Sequence, residues 1–208
     1  SLLLESFDAE HSNLTLAELT RATGLARSTA HRLAEDLAEI GWLEKTEPGY
    51  SLGMRLFEFG ELVPRQRNLV SIALPYMEDL RTATGAAVHL AILDGTEVVY
   101  LQVLSSKQAP RMNSRRGGRL PAHATGVGKA ILAYNQDAEV DLMSRKTKYS
   151  IANRAQLATE LAKVRSHGVA FEREESVPGF GCVAAPIGRQ GEAVAAVSVC
   201  GPMNRMAF

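Results

Sequence analysis

Three stretches of this 208-residue chain hold residue types that could do chemistry. The first, Thr125-Gly126-Val127-Gly128-Lys129-Ala130, invites comparison with a phosphate loop, in which backbone N–H groups and a lysine cradle phosphates. That motif needs Gly, four residues, Gly-Lys and then Ser or Thr. Here His123 stands at the first glycine position and Ala130 at the hydroxyl position, so nucleotide hydrolysis is set aside. A smaller expectation survives. Thr125 as N-cap, with Gly126 and Gly128, leaves N–H groups open at a helix start, where a carboxylate of a small ligand binds. A plain capped helix with close glycine packing accounts for the same residues. The second stretch is Cys182, a nucleophile if His123 or His167 served as its base. It opens the apolar run Val183-Ala184-Ala185, where a thiol is inert core. No Asp or Asn stands near either histidine to orient it, so no catalytic residue is expected. Cys182 and Cys200 are too few for a disulfide framework or a zinc site and read as reduced thiols, with no metal and no cofactor.

The third stretch is Arg27-Ser28-Thr29-Ala30-His31-Arg32. Hydroxyls and helix-start N–H groups suit phosphate oxygens, and arginine makes bidentate contacts to guanine. The elements around it are legible. Thr15 followed by Glu18 is a capping box that starts a helix over Leu16–Thr23, and Gly24 stops it. A second helix runs from Arg27 to Ile40, with Ala30, Leu33, Leu37 and Ile40 on its apolar face and Arg27, Ser28, Thr29, His31 and Arg32 turned outward. Two helices joined by a short glycine turn form a helix-turn-helix, whose second helix enters a major groove by its N-terminal end. Trp42–Lys45 and Tyr50–Leu52 flank Thr46-Glu47-Pro48-Gly49 and form a hairpin, a wing whose Lys45 reaches the DNA backbone or merely helps close a small core.

Apolar residues make up 46% of the chain and charged ones 22%, ordinary for a globular protein. No apolar run is long enough to span a bilayer, and no positive n-region precedes the first one, so neither membrane nor secretion is expected. Reduced thiols and no signal segment point to the cytoplasm. Lys plus Arg balance Asp plus Glu at 23 each, so there is no global basic footprint for nucleic acid. Residues 1–65 carry six basic and eleven acidic side chains, a net of −5 that leaves +5 for the rest. The DNA argument therefore stands on local charge order alone. A helix from Gly53 to Val63, with Leu56, Phe59, Leu62 and Val63 apolar, precedes Pro64. Beyond it, Leu69–Thr84 reads as a helix bent at Pro75, with Leu69, Ile72, Ala73, Tyr76, Met77 and Leu80 on one face. Ala87–Leu93 and Val98–Val103 form a hairpin turning at Asp94-Gly95. A helix capped by Asn153 and stopped at Gly168, with strands over Val169–Glu174, Cys182–Ile187 and Ala193–Cys200, completes an antiparallel α+β domain.

Several groups of residues carry a family resemblance. They are Thr15-Leu16-Ala17-Glu18-Leu19, Gly24-Leu25-Ala26-Arg27-Ser28-Thr29-Ala30-His31-Arg32-Leu33, Gly41-Trp42-Leu43 and Tyr50-Ser51-Leu52-Gly53, then His89-Leu90-Ala91, then Leu120-Pro121-Ala122-His123-Ala124-Thr125-Gly126-Val127-Gly128-Lys129-Ala130, then Pro178-Gly179-Phe180-Gly181-Cys182-Val183-Ala184-Ala185-Pro186 with Val197-Ser198-Val199-Cys200-Gly201-Pro202. In this order over the whole chain, the sequence resembles the IclR family of bacterial transcription regulators. The resemblance implies a winged helix-turn-helix at 1–53, a linker helix at 54–67 and a GAF-like effector-binding domain at 68–208. It implies double-stranded operator DNA as partner, read through Arg27, Ser28, Thr29, His31, Arg32 and Lys45. It also implies a homodimer pairing into a dimer of dimers, with the linker helix in the two-fold contact.

Matched residue by residue, the family's effector-lining places fall on Met112, Leu120, Gly126, Val127, Glu172, Phe180, Cys182, Ser198 and Cys200. Glu172 and Ser198 supply polarity. Cys200 stands where a second hydroxyl is found, and Phe180 where an aliphatic side chain is common. Both departures favour an aromatic or larger organic acid as the effector. The basic loop over Lys107–Arg119 is a solvated face, a cover for an anionic effector or a subunit contact. A ligand-sensing module acting through protein contacts alone is the competing reading.

Overall fold

In a computed structural model of the chain, residues 1–8, 10–106, 114–135, 137–189 and 191–206 are described, with nothing said of the side chains of 64–67. The chain separates into two compact units, Ser1–Arg67 and Asn68–Phe208.

The first unit holds three helices, α1 (Leu2–Glu5), α2 (Leu16–Thr23) and α3 (Arg27–Glu39), and a small sheet of β1 (Asn13–Leu14, between α1 and α2), β2 (Leu43–Lys45) and β3 (Tyr50–Leu52), in the order β1-β3-β2. The capping box forms as the sequence requires: Thr15 accepts from the Glu18 N–H while the Glu18 carboxylate accepts from the Thr15 N–H. Gly24 ends α2 at φ +68°, a conformation a β-carbon would oppose. Leu3, Phe7, Leu14, Leu19, Ala34, Leu43 and Tyr50 make the core, with Leu33 and Leu37 packed against it. On α3 the expected Ala30 is buried and Leu33 and Leu37 pack against the core, and Ile40 alone departs from the expected face. Ala34 is buried, whereas Ile40 is 47% exposed as the residue that closes the helix before Gly41 turns at φ +76°. β1, only two residues long, was not expected; Asn13 and Leu14 are too short a run to show alternation. A further helix, α4 (Met54–Glu61), buries none of its residues in this unit.

The second unit is built on a six-stranded antiparallel sheet. Its strands are β4 (Ala87–Asp94), β5 (Glu97–Leu104), β6 (Arg119–Pro121), β7 (Ala170–Arg173), β8 (Phe180–Arg189) and β9 (Glu192–Pro202), in the order β6-β5-β4-β9-β8-β7. The β4–β5 turn falls one residue later than expected, on Gly95 and Thr96 between the paired Asp94 and Glu97. On one face, Ala73 and Met77 of α5 (Pro64–Thr84) pack on Val88, Leu90, Leu101 and Ala195. Ile72 and Tyr76, expected on that face, are instead two-thirds exposed, because the sheet accepts a narrower stripe of the helix. The other face carries α6 (Gly126–Leu132) and α7 (Arg154–His167), around Ala91, Val98, Tyr100, Val127, Ile131, Val164, Ala170, Ala184 and Ala196. Period-2 alternation sorts neighbouring strand residues onto opposite faces. Asn153 and Gly168 cap α7 as expected.

Candidate functional site

Arg27, Ser28, His31 and Arg32 are exposed along the first turns of α3, and Thr29 is half-buried. Arg32 reaches Asp36 one turn on, at 3.3 Å. Lys45 on β2 is not a loose wing residue: its ammonium pairs with Glu35 of α3. The other oxygen of Glu35 accepts from the buried Tyr50 hydroxyl at 2.8 Å. Those two donors hold the Glu35 carboxyl below the usual carboxylate range, while burial and Glu35 push the Tyr50 phenol up to about 12. One carboxylate thus ties both strands of the hairpin to α3 and fixes the wing against the helix.

The second unit brings a different set together. The strand register places Glu172, Cys182, Cys200 and Ala87 side by side in one row across β7, β8, β9 and β4, and Ala170, Ala184, Ser198 and His89 in another. With the start of α6 these rows enclose a narrow cavity. Leu120, Gly126, Val127, Cys182, Ser198 and Cys200, six of the expected residues, line it. Its volume is about 20 Å³, room for a single water molecule. Gly126 lies so close to β8 that a Cβ there would stand 3.2 Å from the Cys182 Cβ and 3.4 Å from that of Ala184. Thr125 caps α6 through the Gly128 N–H at 3.0 Å, and the helix starts at Gly126. As the first helical residues, Gly126 and Val127 have N–H groups with no intrahelical acceptor.

Two expected lining residues fall elsewhere, and a third is not described. Met112, with Lys107 and Arg111 of the basic loop, lies outside the described residues. Phe180 opens β8 opposite Pro202, half-buried, and is not among the residues lining the cavity. Glu172 is not among the residues lining the cavity. Its Oε1 accepts from the N–H groups of Glu175 and Ser176, Oε2 is buried with no partner among the described residues, and burial raises its carboxyl to about 7. Arg119 of the basic loop is held by Asp94 at 2.8 Å and Glu97 at 2.9 Å.

One reading is corrected outright. Cys182 and Cys200 are not reduced thiols: they are joined in a disulfide, because the register sets them opposite each other on adjacent strands with Cα atoms 4.2 Å apart. A sulfur so engaged is no nucleophile. Lys129, at the lysine position of the rejected phosphate loop, is fully buried and donates to the Phe171 carbonyl at 2.6 Å and to Glu175, with Glu160 at 3.7 Å. Its charge is spent inside the fold. His123 is also buried, with neither ring nitrogen partnered among the described residues, and burial lowers its basicity.

Sequence reasoning missed His89, Tyr100, Ser114, Thr125, Ser176 and Val177 as cavity residues. For His89 a signal existed: it is the one polar residue between Val88 and Leu90, on the opposite face of β4 from both. Ser114, Ser176 and Val177 lie in loops, where no periodicity points inward. Among the described residues, no group of His, Cys, Asp and Glu is placed to hold a metal ion, and no helix is long and apolar enough to cross a membrane.

Residues 62–207 match the domain described as bacterial transcriptional regulator IclR C-terminal, and residues 2–47 match the IclR helix-turn-helix domain. The chain is 34% identical to the HTH-type transcriptional regulator XynR of Escherichia coli (strain K12), over 95% of this chain and 82% of that protein. To the transcriptional repressor IclR of the same strain it is 33% identical, over 98% of this chain and 78% of that protein. Its fold is similar to the crystal structure of an IclR homolog complexed with 4-hydroxybenzoate from Microbacterium hydrocarbonoxydans, with a TM-score of 0.86 at 28% identity, covering 99% of this chain and 88% of that one.

Proposed function

The chain belongs to the IclR family of transcriptional regulators, and on that premise we propose that it binds a palindromic operator as a dimer and that a small organic acid in the cavity of Asn68–Phe208 governs that binding. A helix-turn-helix domain that takes DNA and a C-terminal ligand-binding domain are the parts of such a regulator, and the family is not one of enzymes. Arg27, Ser28, Thr29, His31 and Arg32 are the residues for the major groove, and Lys45 touches the backbone only where phosphate draws it from Glu35. Exposed Met54, Phe57 and Leu62 on and just beyond α4 suit a two-fold partner, which matches the symmetry of a palindrome. Dimers then pair as dimers of dimers, in the cytoplasm.

One observation carries the effector half. Six residues assigned together by the family resemblance, from four segments, converge on one cavity, walled by the disulfide on one side and the α6 start on the other. An aromatic acid is the first class to test, because the Microbacterium neighbour was solved with 4-hydroxybenzoate and the Tyr100 and His89 rings, tilted by 58° with centroids 5.4 Å apart, both line the cavity here. A cavity of this size admits such a molecule only by widening. Binding therefore selects a more open conformer, and that differential affinity is what couples ligand to DNA.

The test is a mobility-shift and anisotropy titration with the DNA upstream of the protein's own gene, with and without a panel of organic acids. Arg27→Ala with Arg32→Ala is expected to abolish operator binding while the thermal shift produced by a bound acid persists. Unchanged operator binding in that variant removes the α3 assignment. No thermal shift from any acid removes the effector assignment.

A further inference from the structure

We propose that His89 is a specificity-determining residue of the cavity, hydrogen-bonding an uncharged hydroxyl group carried by the bound acid; this rests on the effector reading given above. The side chain is 1% exposed and lines the cavity with Tyr100, Ser114 and Ser198. Its Nε2 lies 2.8 Å from the Ser114 hydroxyl. Its Nδ1 is buried with no hydrogen-bond partner among the described residues. A buried ring nitrogen left unpaired is costly and calls for a partner. Ser114 and the tilted Tyr100 ring, with centroids 5.4 Å apart, both contact the His89 ring and hold it at the cavity.

The chemistry of the ring selects the partner. Ser114 can donate to Nε2 or accept from it, which leaves Nδ1 a donor or an acceptor. A hydroxyl is both, and satisfies either tautomer. A carboxylate satisfies only the Nδ1–H tautomer, and a hydrogen or methyl at the same place satisfies neither. Burial alone brings the imidazole down to about 4, so near neutral pH it carries no positive charge to draw the acid group. The carboxylate is therefore directed elsewhere in the cavity, and His89 meets the second polar group. The register sets His89 directly opposite Ser198, one of the polar residues expected from the sequence, and both line the cavity.

The experiment compares benzoate with its 3- and 4-hydroxy derivatives by calorimetry, using the intact protein. Wild type is expected to bind one hydroxylated acid about tenfold more tightly than benzoate, the worth of one buried hydrogen bond with its partner left unpaired otherwise. His89→Phe is expected to bind both with the affinity wild type shows for benzoate. Discrimination that survives in His89→Phe, or wild type that binds the acids without preference, overturns the role of His89 and leaves the effector reading intact. Wild type that binds none of them by calorimetry, and shows no thermal shift with any organic acid, overturns both. A readout that needs no variant is the ¹⁵N resonance of the His89 imidazole in the wild-type protein. It is expected to move with the preferred hydroxy acid and not with benzoate, and a resonance indifferent to the hydroxyl overturns the proposal even where His89→Phe fails to fold.

Discussion

Cys182 and Cys200 face each other across β8 and β9 as one cross-strand pair, and their bond forms part of the wall of the same cavity that Ser198, His89 and Tyr100 line. The pair closes a loop of 18 residues in sequence. Protein purified without reductant and unfolded in an alkylating agent is expected to take up no label, and two labels after reduction. A loop of that length restrains the unfolded chain by about 3 kcal/mol, so Cys182→Ser or Cys200→Ser is expected to lower stability by that order in urea denaturation. Two labels without reduction, or variants as stable as wild type, would refute the pairing.

The wing rests on one carboxylate. Glu35→Ala strips the partner from the buried Tyr50 hydroxyl, which costs about 1–3 kcal/mol for an unpaired buried group. Lys45→Ala breaks a pair whose two members are both well exposed, and is expected to cost less than about 1 kcal/mol. Because Glu35 and Tyr50 serve one contact, Glu35→Ala combined with Tyr50→Phe is expected to cost less than the sum of the two single changes. Additive costs in chemical denaturation would show that the hydroxyl and the carboxylate do not depend on each other.

Gly128 is required by packing rather than by a ligand. A Cβ there would stand 2.1 Å from the Ala122 carbonyl oxygen and 2.5 Å from its Cα, both backbone atoms that cannot turn aside. Gly128→Ala is therefore expected to destabilise the second unit by more than about 3 kcal/mol. Gly126→Ala meets only side-chain atoms at 3.2–3.5 Å and is expected to fold, with a few tenths of an ångström of adjustment. Equal melting temperatures for the two variants would contradict this difference.

The elements that announce themselves locally were legible: Thr15 with Glu18, Gly24, Asn153 and Gly168 mark helix ends by hydrogen bonds within a few residues. Cys182, Ser198 and Gly126 were legible through a resemblance over the whole chain. What stayed hidden depends on long-range register. No spacing reveals that residues 18 apart become opposite neighbours, so the disulfide read as two thiols. The faces of Ile40, Ile72 and Tyr76 failed for a related reason. Helical periodicity says which residues share a stripe, and the width of the surface that receives it decides which of them are covered.

Two buried groups on the sheet give the stability opposite dependences on pH. The His89 imidazole, ordinarily near 6.5, is lowered to about 4 by burial. Between those values the unfolded chain binds the proton and the folded one does not, so this contribution is full above 6.5 and is lost as pH falls toward 4. The Glu172 carboxyl, ordinarily near 4.5, is raised to about 7 by burial, with Glu175 adding to the rise and Lys129 and the N–H groups of Ser176 and Glu175 opposing it. Here the folded chain holds the proton longer, so the contribution is full below 4.5 and is lost as pH rises through 7. Across the shared window the two slopes oppose each other, and single substitutions separate them. Relative to wild type, His89→Asn is expected to lose progressively more stability as pH rises from 4 to 6.5. Glu172→Gln is expected to gain, relative to wild type, as pH rises from 4.5 to 7, because an amide carries no buried charge. Urea denaturation of the three proteins at half-unit steps of pH reads both slopes; parallel curves for all three would mean that neither group titrates with the fold.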